Sequence, residues 1–196
     1  MSDILPPRIV VDAPPRFRVV TTDLDEPLDA RTIVLSPSRA FGDGRHESTR
    51  TCLQALAAFA PAPPFRMLDV GSGTGVLAIA AAKLGGSAVG VEIDEAANAH
   101  ATRDAIRNGV ASVVRFGTEW PDGAFDVVVA NILREILLAI ADRIAERLAK
   151  RSLLVLSGLV STDVPAIVAR YAPLVGARPE IFERGPWRTL VFRPGR

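Results

Sequence analysis

The chain has 196 residues, of which 48% are hydrophobic and 23% are charged, a composition that excludes disorder as the main state. Lys and Arg together number 23 and Asp and Glu 22, giving a formal net charge of +1. Because nucleic-acid-binding proteins usually carry a clear basic excess, this balance argues against a dedicated nucleic-acid partner. The length suits one large domain or two very small ones.

Cysteine, histidine and apolar runs indicate the compartment. Cys52 is the single cysteine, so no intrachain disulfide can form, and His46 and His100 are the only histidines. We therefore expect no metal centre and a reducing compartment. The first residues lack the basic-then-apolar pattern of a signal peptide, and no apolar run approaches the roughly 20 residues of a membrane span. The sequence predicts a cytoplasmic protein without a membrane partner.

Residues 1–39 differ from the rest of the chain. They hold six prolines and two short β-like runs, residues 9–11 and 32–35. Proline excludes a central strand, so we expect these runs to pair as a hairpin or to lie along a sheet edge. The stretch is too short for a core of its own. We interpret residues 1–39 as an N-terminal arm or lid and residues 40–196 as the main domain.

From residue 45 onward, strand-like and helix-like patterns alternate. The predicted helices are residues 47–60, 76–84, 95–108, 136–149 and 163–171. The predicted strands are residues 65–70, 88–92, 113–116, 125–130, 153–156, 180–183 and 188–192. Alternating units with nearly continuous apolar strands indicate an α/β fold with a mostly parallel, doubly wound sheet. The last two strands are expected to form an antiparallel hairpin at its edge.

A glycine-rich loop follows the first strand of this domain. Asp69 precedes glycines 71, 73 and 75, and Glu92 comes 21 residues after Gly71, at the end of the next strand. A dinucleotide fingerprint G-x-G-x-x-G would need a glycine where Val76 stands, and a pyrophosphate disfavours an adjacent carboxylate. An acid at the position of Glu92 can hold ribose hydroxyls. The pattern favours a nucleoside cofactor with a cationic amino-acid part over a plain βα turn.

These motifs resemble those of the class I S-adenosylmethionine-dependent methyltransferases. LDVGSGTGVLAIAAAKLGG, residues 68–86, and VGVEID, residues 89–94, are similar to their first two cofactor motifs. Residues 38–49, SRAFGDGRHEST, resemble the AFGTGxHxTT signature of the PrmA-type ribosomal-protein methyltransferases, and VANIL, residues 129–133, resembles their ANIL motif. The SGL step at residues 157–159 and Trp187 also match. The resemblance covers residues 32–192.

The resemblance implies a Rossmann-like class I methyltransferase fold that binds S-adenosyl-L-methionine. Asn131 would lie beside the transferable methyl group, and His46 would act either as a base or as a positioning residue of its loop. Trp120 would either stack on the adenine or belong to the core. The implied cofactor contacts are Phe41, Gly42, His46, Thr49, Asp69, Gly71, Ser72, Gly73, Glu92, Ile93, Thr118, Glu119 and Asn131.

The implied reaction is N-methylation of a protein lysine or terminal amine, with a ribosomal protein as the family's target. Members of the family carry a separate N-terminal domain that captures this protein, whereas about 40 proline-rich residues precede the signature here. Asp43 also replaces the usual threonine, and it could favour cofactor binding, contact a cationic substrate or pair with Arg45. The alternatives are a small-molecule methyltransferase of the same fold, an oxidoreductase, against which Asp69 and Val76 argue, and a cofactor-binding protein without catalysis.

Overall fold

Ten strands form two sheets in the residues that the computed structural model describes, which are 8–13, 17–22, 29–38 and 40–193. The strands are β1 (Arg8–Ala13), β2 (Phe17–Thr21), β3 (Thr32–Leu35), β4 (Arg66–Val70), β5 (Ser87–Val91), β6 (Val114–Gly117), β7 (Phe125–Asn131), β8 (Leu148–Val160), β9 (Glu180–Arg184) and β10 (Trp187–Phe192). The first three form a small sheet and the other seven form a large one.

The large sheet has the order β6-β5-β4-β7-β8-β10-β9. Its first five strands are parallel, and β10 and β9 close it as an antiparallel pair. The predicted doubly wound sheet with an antiparallel C-terminal hairpin is therefore confirmed. The chain order reverses at β4, whose two neighbours are β5 and β7. In open α/β sheets, ligands bind outside the carboxyl ends of the strands at such a reversal.

Helices cover both faces of the large sheet. They are α1 (Glu47–Phe59), α2 (Val76–Lys83), α3 (Glu95–Arg107), α4 (Arg134–Ala139), α5 (Ala141–Ala145) and α6 (Val164–Val175). Because side chains alternate along a strand, Val127 and Val129 pack with α1 and α2, while Val128 and Ala130 pack with the α4–α6 side. No helix in the described ranges is long and apolar enough to span a membrane.

The small sheet packs into the same core as the main domain. β1 pairs antiparallel with β2, and β2 pairs parallel with β3. Phe17, Val19, Ile33 and Leu35 are almost fully buried in the cluster that also holds residues of α1 and α2. Asn108 anchors β3, because its side-chain amide donates to the carbonyl of Val34 at 2.6 Å and accepts from its N–H at 2.9 Å.

The strand pairing of this segment differs from the hairpin that we considered. The sequence analysis missed β2, which lies between the two predicted runs, so that residues 9–11 pair with β2 and not with residues 32–35. Arg39 and the prolines at 6, 7, 14, 15 and 27 lie outside the described residues. The division at residues 39 and 40 into an arm and a domain stays a prediction.

One predicted helix is wrong. Residues 136–149 do not form a single helix: α4 and α5 meet at Ile140, whose φ of −103° and ψ of 12° leave the α-helical region. β8 then begins at Leu148, five residues before the predicted start, because Leu148 pairs with Phe125 and the carbonyl of Arg147 accepts from the N–H of Phe125. The other predicted elements are present, with ends that shift by a few residues.

Candidate functional site: a cavity at the carboxyl edge of the parallel strands

A cavity of about 440 Å³ opens where β4, β5, β7 and β8 end. Its lining residues come from the ends of β7 and β8, from the loops after β4, β5 and β7, from the first turns of α3 and α4, from residues 40–46 and from the start of β10. They are Ala40, Phe41, His46, Gly71, Gly73, Glu92, Asp94, Ala97, Asn131, Ile132, Leu133, Ile136, Gly158 and Trp187. The cavity thus lies at the chain-order reversal beside β4, where the fold places a ligand.

The glycine loop after β4 is locked against the segment that precedes α1. Gly73 has a φ of +51°, and a Cβ there would lie 2.3 Å from the carbonyl oxygen of Phe41. The same carbonyl accepts a hydrogen bond from the N–H of Thr74 at 3.0 Å. At Gly71, φ is +71° and a Cβ would lie 2.3 Å from Cγ2 of Ile132. Glycine is required at both positions because the backbone is left-handed and its neighbours leave no room for a side chain.

Glu92 joins this loop to the start of α3. Its Oε2 accepts from the N–H of Gly73 at 3.2 Å, and its Oε1 accepts from the N–H of Asp94 at 3.2 Å. Asp94 in turn caps α3 by accepting from the N–H of Ala96 at 2.8 Å. Glu92 and Asp94 therefore place two acceptor groups on one wall of the cavity.

Asp69 lies beneath the glycine loop at the end of β4. The pKa of its carboxyl is raised from 3.8 to about 7, mainly by burial; a hydrogen bond from the N–H of Ala78 lowers it and the negative charge of Glu92 raises it. Its Oδ2 has no hydrogen-bond partner among the described residues. The carboxyl is thus buried, and its environment favours the protonated form more than water does.

Asn131 ends β7 with its amide at the cavity. Its Nδ2 donates to Oγ1 of Thr49 at 3.3 Å, and its Oδ1 has no hydrogen-bond partner within the described part of the chain. Thr49 is almost fully buried in the first turn of α1. The pair leaves one acceptor oxygen ready to receive an N–H from a ligand.

His46 stands at the start of α1 between two aromatic rings. Its ring centroid lies 5.0 Å from that of Phe41 and 4.4 Å from that of Trp187, both edge to face. Its Nδ1 lies 3.3 Å from the backbone nitrogen of Ser48 and 2.7 Å from its Oγ. Asp43, in the same loop, pairs with Arg45 at 3.1 Å, so one of the three expectations for this carboxylate is confirmed.

The structure brings six of the predicted site residues into the cavity wall: Phe41, His46, Gly71, Gly73, Glu92 and Asn131. Four other predicted residues lie behind the lining: Gly42, Thr49, Asp69 and Ser72. The carbonyl of Gly42 accepts a hydrogen bond from Oγ1 of Thr74. Ile93, Thr118 and Glu119 are exposed and lie outside the lining. All of these assignments as cofactor contacts stay predictions.

Sequence reasoning missed several lining residues. Ala40, Asp94, Ile132, Leu133, Gly158 and Trp187 belong to the quoted motifs but were not predicted as site residues, whereas Ala97 and Ile136 lie outside those motifs. For Asp94 a signal exists, since it is the second acid of the VEID stretch.

Trp120 is partly buried and packs against the core, and the guanidinium of Arg143 lies 4.3 Å from the centre of its ring. The described ranges hold no group of three or more His, Cys, Asp or Glu that could bind a metal ion.

Comparison with known proteins decides the family. The family model described as ribosomal protein L11 methyltransferase (PrmA) matches residues 11–194. The chain belongs to the PrmA family. Among curated members, the ribosomal protein L11 methyltransferase of Syntrophotalea carbinolica is 40% identical over 173 residues, which are 85% of this chain and 56% of that protein. The protein of the same name from Thermus thermophilus is 40% identical over 164 residues, 82% of this chain and 64% of that one. The chain thus spans a little over half the length of these PrmA relatives.

Solved structures agree with this membership. A ribosomal protein L11 methylase from Lactobacillus delbrueckii subsp. bulgaricus superposes with a TM-score of 0.81 at 28% identity, covering 94% of this chain and 97% of that one. The 16S rRNA methyltransferase RsmC of Thermus thermophilus, solved with AdoMet and guanosine, gives a TM-score of 0.62 at 21% identity over 79% of this chain and 45% of that one. The second likeness shows that the PrmA fold is shared with other methyltransferases.

Proposed function

We propose that this chain is an S-adenosylmethionine-dependent methyltransferase that transfers a methyl group to a protein amine, with ribosomal protein L11 as the first target to test. The observation that carries the proposal is the amide of Asn131, which lines a cavity at the carboxyl edge of the sheet and whose buried Oδ1 has no hydrogen-bond partner among the described residues. The PrmA relatives are named for methylating this ribosomal protein, which favours a protein amine over a small molecule. A ribosomal substrate would place the protein in the cytoplasm.

The residues around the cavity fit S-adenosylmethionine. Gly71 and Gly73 line the cavity and carry no side chain that would separate a ligand from the main chain. Glu92 and Asp94 offer carboxylate oxygens that suit ribose hydroxyls or an ammonium group. Ile132 and Ile136 add apolar surface on which a nucleoside can pack. The unpartnered Oδ2 of Asp69 lies behind the loop and favours a cationic ligand nearby.

When bound, S-adenosylmethionine supplies a methyl group on a cationic sulfur, which an amine nitrogen can attack directly. The protein's own task is then orientation and exclusion of water. Oδ1 of Asn131 accepts an N–H of the incoming neutral amine and so aims the nitrogen lone pair. Thr49 holds that amide in place through its hydrogen bond to Nδ2. Phe41, Leu133 and Trp187 provide an apolar surround that keeps water away from the reacting groups.

Transfer of a labelled methyl group tests this proposal. Purified chain, radiolabelled S-adenosylmethionine and unmodified ribosomal protein L11 are incubated, and protein and small-molecule fractions are then separated. We expect label in L11, a loss of at least about a hundredfold in rate for Asn131→Ala, and an unchanged rate for Asp122→Ala, which alters an exposed loop acid. Equal rates in the two variants would contradict the assignment of Asn131.

The distribution of label separates the alternatives. Label that appears only in small molecules of an extract would overturn the protein-amine reading and would favour a metabolite methyltransferase. Cofactor binding without label in any fraction, with L11 and the extract both supplied, would overturn the proposed activity of this chain. Label in L11 supports the proposal as stated.

A further inference from the structure

The ring of His46 is fixed at the cavity wall by contacts on two sides. Phe41 and Trp187 meet it edge to face, with interplanar angles of 62° and 65°. Such contacts restrict rotation of an imidazole because the two neighbouring rings leave little space for another orientation. The main chain of Phe41 is held in place, because its carbonyl accepts a hydrogen bond from the N–H of Thr74. What a ligand meets at this ring therefore depends on which of its two nitrogens carries the proton.

Ser48 decides where that proton lies. The backbone N–H of Ser48 points to Nδ1 of His46 at 3.3 Å, and a backbone N–H can only donate. Nδ1 must therefore be the acceptor, so that the neutral ring carries its proton on Nε2. The hydroxyl of Ser48, 2.7 Å from the same nitrogen, must then donate as well. Ser48 is fully buried, so water does not compete for these bonds.

The remaining nitrogen, Nε2, belongs to a ring that lines the cavity. Within the described part of the chain, no group accepts a hydrogen bond from Nε2 of His46, and the ring lines the cavity. The lone pair of the neutral ring faces Ser48 at the start of α1. A ligand in the cavity therefore meets an N–H donor rather than a base.

We propose that His46 is a neutral hydrogen-bond donor to an acceptor oxygen of the bound ligand, and that Ser48 is the positioning residue that fixes its tautomer. This inference rests on the proposed function for the identity of the ligand, whose oxygen belongs either to the carboxylate of the cofactor or to a carbonyl of the substrate. Of the two roles expected for His46, it favours positioning over a catalytic base.

The tautomer can be measured without any ligand. Long-range ¹H–¹⁵N correlation in alkaline buffer, where imidazole is neutral, distinguishes a protonated from an unprotonated ring nitrogen. The chain has two histidines, so the variant His100→Gln assigns the signals of His46. We expect a protonated Nε2 and an unprotonated Nδ1. A protonated Nδ1 would overturn the inference whatever the chain binds.

Two substitutions at Ser48 test its positioning role. Ser48→Ala removes the hydroxyl but keeps the backbone N–H that makes Nδ1 an acceptor, so we expect the proton to stay on Nε2. We expect the affinity for S-adenosylhomocysteine or the substrate to fall about fivefold, because the ring loses one of its two bonds to Ser48. Ser48→Thr keeps the hydroxyl, and we expect it to keep both the tautomer and the affinity. An unchanged affinity in Ser48→Ala would overturn the role of the hydroxyl, and a proton on Nδ1 in that variant would overturn the role of the backbone N–H.

His46→Ala identifies the oxygen that the donor holds. An affinity for S-adenosylhomocysteine lowered about tenfold would assign the bond to the cofactor carboxylate. An unchanged affinity with a KM for the amine substrate raised about tenfold would assign it to a substrate carbonyl. If neither changes, the donor role is wrong. Wild-type chain that binds no S-adenosylhomocysteine would contradict the proposed function, while the ring tautomer would still be decided by the spectrum.

Discussion

Nδ2 of Asn131 donates to Oγ1 of Thr49 at 3.3 Å, across 82 positions of sequence, and Oδ1 of the same amide has no partner among the described residues. The threonine thus fixes the orientation of the amide, which lines the cavity. Because an amide presents a donor on one side and an acceptor on the other, its orientation decides whether it can receive the N–H of an amine.

Loss of the Thr49 hydroxyl should therefore affect catalysis. In Thr49→Val the Nδ2 group loses its acceptor, so the amide can turn, and we expect kcat for methyl transfer to fall about tenfold to a hundredfold. Thr49→Ser keeps the hydroxyl and should retain most of the activity. Steady-state transfer of labelled methyl measures both variants. A wild-type kcat in Thr49→Val would show that the amide needs no such partner.

Gly73 is expected to tolerate no side chain. In Gly73→Ala the new Cβ would meet the carbonyl oxygen of Phe41, which is backbone and cannot give way cheaply, and the residue would keep a φ of +51°. We expect the free energy of unfolding to fall by about 1–3 kcal/mol and cofactor affinity to fall with it.

The matched control for this substitution is Gly117→Ala. Gly117 ends β6, and a Cβ there would have no heavy atom within 4 Å. The free energy of unfolding of Gly117→Ala should differ from that of the wild type by less than about 0.5 kcal/mol. Urea unfolding of the two variants gives the comparison, and equal losses would contradict the close approach of the two loops.

The buried carboxyl of Asp69 predicts a dependence of stability on pH. Burial and the charge of Glu92 raise its pKa in the folded chain from 3.8 to about 7, so between these values the folded state binds more protons than the unfolded state. The contribution of Asp69 to the free energy of unfolding is then largest below this range and decreases as the pH rises through it.

Asp69→Asn removes this titration while an amide oxygen can still accept from the N–H of Ala78. Relative to the wild type, the variant should gain more stability at about pH 8 than at about pH 5, as measured by urea unfolding. Asp122→Asn, which alters an exposed acid, controls for net charge. A larger gain at the lower pH would contradict the direction of the pKa shift.

A buried chain of hydroxyl groups joins α1 to the sheet near the site. Thr51 donates to the carbonyl of Glu47 at 2.8 Å and accepts from Thr189 at 2.9 Å, so Ser157 must donate to Thr189 at 2.6 Å. All three hydroxyls lie in buried residues. Thr189→Val would leave two of them without their partner.

We expect Thr189→Val to lower the free energy of unfolding by about 1–3 kcal/mol. Thr189→Ser keeps the hydroxyl and removes one methyl group, so we expect the free energy of unfolding to fall by only about 0.8 kcal/mol. Chemical unfolding of the two variants separates the hydrogen bonds from the packing, and a larger loss for Thr189→Ser would show that the hydroxyl chain adds nothing.

Local motifs could be predicted from the sequence and long-range contacts could not. The glycine loop and Glu92 follow from spacing within one βα unit, because neighbouring parallel strands bring such residues together. The contact between His46 and Trp187 joins α1 to the last strand, and nothing in either segment alone predicts an edge-to-face pair. The partner of Asn131 likewise depends on how α1 packs against β7.

The break between α4 and α5 shows a second limit of pattern reading. Leu137, Ala141 and Ile144 are fully buried and keep helical spacing across the break at Ile140, so the periodicity predicts one continuous helix. β2 was missed although buried Phe17, exposed Arg18 and buried Val19 alternate as in a half-buried strand. The end of α4 is set by tertiary packing, whereas the signal for β2 was present in the sequence.

The central claim is that the cavity beside Glu92 and Asn131 holds the cofactor. Calorimetric titration of S-adenosylhomocysteine into the wild type, Glu92→Ala and Glu95→Ala tests it most directly, since Glu92 orders the glycine loop and Glu95 is exposed at the start of α3. We predict saturable one-to-one binding by the wild type and Glu95→Ala, and an affinity at least about tenfold lower for Glu92→Ala. No binding by the wild type, or equal affinity in all three, would contradict the account.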